Sequence, residues 1–422
     1  MKTENKSMGI EEFLDILPRV LPAPDFDMSE DTVWRGIKAI TYDGADYLGK
    51  KTKVFAHVGY PEGKEGERVP AVVLVHGGGG HAYPEWIRRW CACGFAAIAM
   101  DTTGYVPTEA RRCLFGNEEA HNGDYTRTLY GSLAEDGYTV GPDNSRMQDC
   151  DLPLADQWMY HAVVDTILAH NILLADDRID PERIGISGIS WGSVIASLAI
   201  GYDTRYAFAI PVYGSGHLDH LPAPKLPTVF REEGVKRLWS AHDRFGRISF
   251  PILWHCYLLD TAFTVGANSL SYLDTKAHGA CFSISPDMEH SHECAWVRDI
   301  GYRFAERTVN GALPLIRPVR EPSGFSDIAF PIEIPEDFSD VSAELWYLTE
   351  PIAYDEQSRM TATWQTAEAT VLGDRVTADI PEGVTAYFLN LRGYAEGKVY
   401  ETSTALVVRD RPITARDKGG AL

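Results

Sequence analysis

The pentapeptide Gly188-Ile189-Ser190-Trp191-Gly192 sets a hydroxyl nucleophile between two residues that let a backbone turn sharply. Serine is a weak nucleophile on its own and needs a base to take its proton and an acid to orient that base. The flanks supply the context such a turn requires. Arg183-Ile-Gly-Ile-Ser187 reads as a short strand, and Ser193-Val-Ile-Ala-Ser-Leu-Ala-Ile200 reads as a buried helix. A serine between strand and helix stands clear of the sheet, at a helix N-terminus whose dipole favours developing negative charge. Its partners then follow in the chain order Ser, Asp or Glu, His. Asp260 ends the apolar run that starts at Pro251, and His290 lies in the loop Pro286-Asp-Met-Glu-His290, so both fit that order. His292 is the alternative base, and Asp219 and Asp274 are reserve acids.

Acyl transfer also needs donors for an oxyanion. The run His76-Gly-Gly-Gly-Gly80 closes the apolar stretch Ala71-Val-Val-Leu-Val75. Glycines at a strand end bring backbone amides close to a substrate. The amide of Trp191 and one from Gly78 or Gly79 are the expected donors, with His76 structural. His290, His292 and Glu293 lack a further converging ligand, so the reading includes no metal and no cofactor.

These residues need a scaffold. Val33–Tyr42 and Lys51–Val58 alternate as strands around the turn Asp43-Gly-Ala. Continuous apolar runs at 71–75, 94–101, 206–213, 251–260 and 279–285 read as buried strands, with helices at 84–90, 152–175 and 295–309 between them. This alternation predicts an α/β fold, a doubly wound, mostly parallel sheet, over 33–315. Residues 1–32 read as a short helix and a strap. An insertion near 102–151 is expected to wall the pocket, since ligands bind beyond the carboxyl ends of parallel strands, and one near 217–249 to form a partial cap. Beyond Pro314, Pro318 and Pro322, short alternating runs at intervals of about ten residues predict a C-terminal β-sandwich domain over 316–422. Trp346, Tyr347 and Trp364 in it read as core rather than as a binding platform.

The totals exclude several functions. The 422 residues carry 39 Lys and Arg against 60 Asp and Glu, a formal net charge of -21. That argues against nucleic acid and anionic membranes as partners, since both need basic patches. No segment reads as a leader or a membrane span. Seven scattered cysteines fit reduced thiols in a cytoplasmic protein. The reading admits a homo-oligomer.

The motifs Pro70-Ala-Val-Val-Leu-Val-His-Gly-Gly-Gly-Gly80, Gly188-Ile-Ser-Trp-Gly192 and Asp287-Met-Glu-His-Ser-His292 resemble the α/β-hydrolase superfamily, and within it the dienelactone hydrolase and acetyl xylan esterase-like branch. The resemblance spans about 33 to 312. Dienelactone hydrolases use a cysteine where this chain has Ser190, which favours an esterase. The resemblance implies a serine carboxylic ester hydrolase acting on short, acetyl-type esters, with small-molecule or carbohydrate esters as substrates. The alternatives are a serine peptidase of the prolyl oligopeptidase type and a non-catalytic binding protein on the same fold.

Overall fold

The computed structural model describes residues 10–34, 36–63, 66–107, 125–127, 149–221, 228–355 and 359–409. Nine strands form the main sheet: β1 (Phe26–Trp34), β2 (Ile37–Asp43), β3 (Lys53–Gly59), β4 (Val69–Val75), β5 (Ala96–Met100), β6 (Ile179–Ile189), β7 (Phe208–Val212), β8 (Leu253–Tyr257) and β9 (Cys281–Ser285). Their order is β1-β2-β3-β5-β4-β6-β7-β8-β9. The first three pair antiparallel, β3 also runs antiparallel to β5, and every pairing from β5 to β9 is parallel.

The helices are α1 (Ile10–Val20), α2 (Pro84–Ala92), α3 (Trp158–Leu174), α4 (Trp191–Tyr202), α5 (Glu233–Trp239), α6 (Val265–Thr275), α7 (His292–Trp296) and α8 (Asp299–Val309). Alternate residues of β4 serve opposite faces. Ala71, Val73 and Val75 pack with α3 and α4, whereas Val72 and Leu74 pack with Trp86, Ile87 and Trp90 of α2 and Phe304 of α8. A strand covered on both faces has no place for polar side chains, which is why β4 reads as an unbroken apolar run. Leu14 and Leu17 of α1 join the α3–α4 side of the core.

Boundaries differ from the sequence expectation where a turn intervenes. The stretch read as one strand over Val33–Tyr42 is split, because Gly36 takes φ 85° and Trp34 pairs back onto Ile37. Strand β1 therefore starts at Phe26, inside the stretch read as a strap. Helix α3 begins at Trp158 and not at Leu152, since Pro153 leads into a short 3-10 turn at Leu154–Asp156. The helix expected over 295–309 is two helices, α7 and α8. Most of the loop expected at 102–151 falls outside the described residues. The described part of 217–249 holds α5 and 3-10 turns at Leu218–His220, Thr228–Arg231 and His242–Arg247.

The C-terminal strands are β10 (Arg317–Pro318), β11 (Ile328–Glu333), β12 (Ser339–Leu348), β13 (Gln365–Leu372), β14 (Arg375–Ala378), β15 (Ala386–Ala395), β16 (Lys398–Ser403) and β17 (Val407–Val408). They pair antiparallel in the order β10-β11-β14-β13-β12-β15-β16, with β17 also on β15. The arrangement is consistent with a β-sandwich, though barrel-like in its single run of pairings. It is not separate from the first core. Leu348, Ala362, Ala386, Phe388, Ala405 and Leu406 pack into the same cluster as α6. Ser403 Oγ accepts from the Ile284 amide at 2.9 Å, and Ser283 Oγ donates to the Glu401 carbonyl at 2.9 Å, so β16 covers the β9 edge. Trp346 and Trp364 are partly buried, with ring centroids 6.0 and 5.1 Å from Phe388.

Among the described residues no helix is long and apolar enough to cross a membrane. The six described cysteines are free thiols.

Candidate active site

Strand β6 hands directly into α4 at Ser190, whose backbone sits at φ 56° and ψ -119°. A non-glycine residue rarely takes a positive φ, and such strain persists only where the surroundings impose it. Here the Ser190 amide donates to the Val212 carbonyl of β7 at 3.0 Å. Both glycines of the pentapeptide are required by close backbone approach. A Cβ on Gly188 would fall 2.1 Å from the Gly192 carbonyl oxygen, and one on Gly192 would fall 2.0 Å from that of Val75. The turn can therefore be this tight only with these two residues bare.

Three chain segments converge on the serine. Ser190 Oγ lies 2.8 Å from His290 Nε2, and His290 Nδ1 lies 2.7 Å from Asp260 Oδ2. The Asp260 side chain is fully buried, and its Oδ1 accepts from the amides of Ala262 and Phe263 at 2.7 and 2.9 Å. A carboxylate committed in this way on one oxygen presents the other in a fixed direction. His290 is 31% exposed, so its ring reaches solvent while Asp260 does not. Tyr213 and Phe263 flank the ring at 4.6 and 6.2 Å. Tyr213 is locked in turn by a hydrogen bond from its hydroxyl to the Ser291 carbonyl. An imidazole that donates from one nitrogen to a carboxylate presents the other as an acceptor to the hydroxyl it faces.

His292 points elsewhere. Its Nε2 accepts from the Gly77 amide at 2.9 Å, and its ring lies 5.0 Å from Tyr83 and 6.4 Å from Trp296. Burial first, then His76 and His290 nearby, push its pKa down to about 3, which keeps it neutral and an acceptor. A Cβ on Gly80 would fall 2.6 Å from the same nitrogen. His292 thus holds the start of the glycine run, and Gly78 and Gly79 are left exposed at its tip. His76 is tied into the backbone: Nδ1 donates to the Gly77 carbonyl at 2.7 Å and Nε2 accepts from the Thr102 amide at 3.0 Å.

Trp191 opens α4, where the first amides have no partner inside the helix. Its half-buried ring packs edge-on to Trp158 at 5.8 Å and tilted to Phe230 at 6.2 Å. The reserve acids lie apart from His290. Asp274 pairs with His217 and Asp219 with Lys236, each at 2.7 Å. Sequence reasoning missed the parts played by Tyr213, Phe263 and His292. The signal available for Tyr213 was its place just past the end of an apolar strand; nothing local marks the hydrogen bond from Gly77 to His292, 215 residues on.

No family model matches the chain, and no curated protein matches it. Solved structures do. An acetyl xylan esterase from Paenibacillus sp. R4 is 21% identical, with 70% of this chain and 92% of that one covered and a TM-score of 0.48. Acetyl xylan esterase 1 from Thermoanaerobacterium sp. JW/SL YS485 is 14% identical over 71% and 92% of the two chains, with a TM-score of 0.49. A putative dienelactone hydrolase from Klebsiella pneumoniae subsp. pneumoniae MGH 78578 is 17% identical over 61% and 90%, with a TM-score of 0.36. These neighbours share the α/β-hydrolase fold.

Proposed function

We propose that this chain is a serine hydrolase that cleaves short acyl esters, acetyl-type esters of small molecules or carbohydrates among them, through an acyl-enzyme. The observation that carries the reading is the unbroken line from Ser190 Oγ to His290 at 2.8 Å and on to buried Asp260 at 2.7 Å. His290 Nε2 takes the hydroxyl proton as Ser190 Oγ bonds to the acyl carbon. Asp260 holds the ring in the tautomer with Nδ1–H and offsets the charge the ring gains. The carbonyl oxygen becomes an oxyanion, met by the Trp191 amide at the start of α4 and by an amide from Gly78 or Gly79. His290 then gives its proton to the departing alcohol. Water, deprotonated by the same nitrogen, releases the acid and restores the serine.

His292 acts here as a positioning residue, because its bond to Gly77 fixes the glycine run on which one oxyanion donor rides. Tyr354, from the loop after β12, is half-buried beside Thr264 and lies within the field of Asp260, so the C-terminal unit contributes to the shell behind the acid. The excess of acidic residues suits a neutral or cationic ester over an anionic one.

The test is a series of p-nitrophenyl esters of rising chain length, run beside acetylated sugars and short peptides. The expected result is turnover that is greatest for acetyl and falls with chain length, and is lost in Ser190→Ala. Faster cleavage of long-chain esters would overturn the acyl preference, peptide cleavage would favour the peptidase, and full activity in Ser190→Ala would overturn the mechanism.

A further inference from the structure

A second cluster of titratable side chains stands beyond the carboxyl end of β7, in the insertion at 217–249, and the mechanism above does not use it. From the geometry we infer that His217, Asp219 and His242 bind a divalent transition-metal cation of the zinc type. One ligand-capable atom from each of the three lies within 4.8 Å of the others. His217 is buried, with its side chain 1% exposed, and its Nε2 lies 2.7 Å from Asp274 Oδ2. That leaves Nδ1 as the atom it can give, and among the described residues Nδ1 is buried without a hydrogen-bond partner. A buried imidazole nitrogen with nothing to bond costs stability unless a ligand fills it.

The other two donors show the same division of labour. Asp219 Oδ2 holds Lys236 Nζ at 2.7 Å, and its Oδ1 is buried and without a partner among the described residues. His242 Nδ1 is engaged by Ser240 Oγ at 2.7 Å and by the Gly216 carbonyl at 3.3 Å. Its Nε2 is the remaining ligand atom, and the exposed Asp243 Oδ1 at 3.2 Å from it is a further oxygen. The rings of His217 and His242 stack at 4.3 Å and 15°.

The outer contacts match what metal-binding histidines require. A ligating imidazole usually gives its other N–H to a carboxylate or carbonyl, which fixes its tautomer, and Asp274 and the Gly216 carbonyl do this here. Two imidazoles and one carboxylate select zinc or a neighbouring transition ion over calcium or magnesium, which prefer oxygen alone. Zinc takes nitrogen and oxygen at about 2.0–2.2 Å, so its ligand atoms stand roughly 3.3 Å apart. Asp219 and His242, both half-buried, must draw in by up to about 1.5 Å, with the His242 ring tilting out of its stack on His217, and three protein ligands leave the fourth position of a tetrahedral ion open. Lys236 is the competing cation. It is 30% exposed and can turn to water when the ion arrives.

The test uses the full chain, stripped with a chelator and titrated with zinc alone against a chromogenic competitor. One zinc per chain is expected with micromolar or tighter affinity. His242→Gln and Asp219→Asn, each checked for folding by circular dichroism, should weaken binding at least tenfold. Asp274→Asn should weaken it about 10- to 100-fold through the tautomer of His217. Lys236→Gln should tighten it. Ser190→Ala should bind zinc as the parent does, which keeps the inference separate from the hydrolase reading. Absence of binding to the folded parent would overturn the inference. So would zinc binding that survives the His242→Gln/Asp219→Asn double variant, or that is lost in His290→Gln instead.

Discussion

Two histidine–aspartate pairs stand at the carboxyl edge of one sheet, and they differ in what lies beyond the imidazole. His290 on Asp260 and His217 on Asp274 have the same 2.7 Å contact. Past His290 comes the strained hydroxyl of Ser190, and the ring is 31% exposed. Past His217 come Asp219 and His242, and the ring is 1% exposed. A carboxylate fixes a tautomer in both places. The third partner then decides whether the nitrogen is set to accept a proton or to bind a cation. The dyad alone therefore names no chemistry.

The two sites can be pulled apart by substitution. Ser190→Ala should lower ester turnover by roughly 10⁴-fold or more and leave zinc affinity unchanged. Loss of both functions together would show that the clusters form one site. Asp260→Asn should cost about 10⁴ in kcat, because His290 is left in the wrong tautomer. The matching change at the other pair, Asp274→Asn, should cost turnover far less while weakening zinc. Steady-state kinetics on one ester and a chelator-competition titration measure both effects.

A smaller effect is expected at His292. His292→Phe keeps an aromatic ring between Tyr83 and Trp296 but removes the acceptor for the Gly77 amide. A drop of about 10- to 100-fold in kcat with little change in KM is expected, less than the roughly 10²–10³ for loss of a direct oxyanion donor. A drop as large as that for His290→Ala would instead make His292 the base.

The smallest effect is on stability against pH. His292 and His255 are both pushed down to about 3, chiefly by burial, followed by the neighbouring histidines for the first and Arg298 for the second. In an unfolded chain an imidazole titrates near 6.5, roughly. Between those values the unfolded chain holds protons that the folded chain excludes, so stability falls as pH drops from about 6.5 toward 3 and is level above about 6.5. The Tm should decline through that window, less steeply in His292→Phe. A Tm constant down to about pH 4 would contradict the burial of these rings as neutral groups.

Much of this geometry could be read from the sequence because it is written locally. The pentapeptide, the strand before it and the helix after it are contiguous, and the clash that excludes a side chain at Gly188 acts within five residues, whereas the one at Gly192 comes from the distant Val75 carbonyl. Buried strands such as β4 and β7 announce themselves as apolar runs. The hairpin of β1 and β2 was hidden because its reversal, with Gly36 at φ 85°, falls inside what reads as one alternating stretch. The partnership of His217 with Asp274 and His242 was hidden for another reason. Fifty-seven residues separate the first pair, and only the close packing of α6 and the insertion against the end of β7 brings them together. In the same way the choice between His290 and His292 turns on which way each ring faces, since the two are neighbours in sequence.

Fluorophosphonate labelling followed by peptide mass mapping tests the central claim most directly, because it reads the nucleophile and its base without any assumption about substrate. The account predicts a single adduct on Ser190, formed rapidly in the parent and in His292→Phe and very slowly in His290→Ala and Asp260→Asn. An adduct on another residue, or labelling of Ser190 at the parent's rate in His290→Ala, would contradict it.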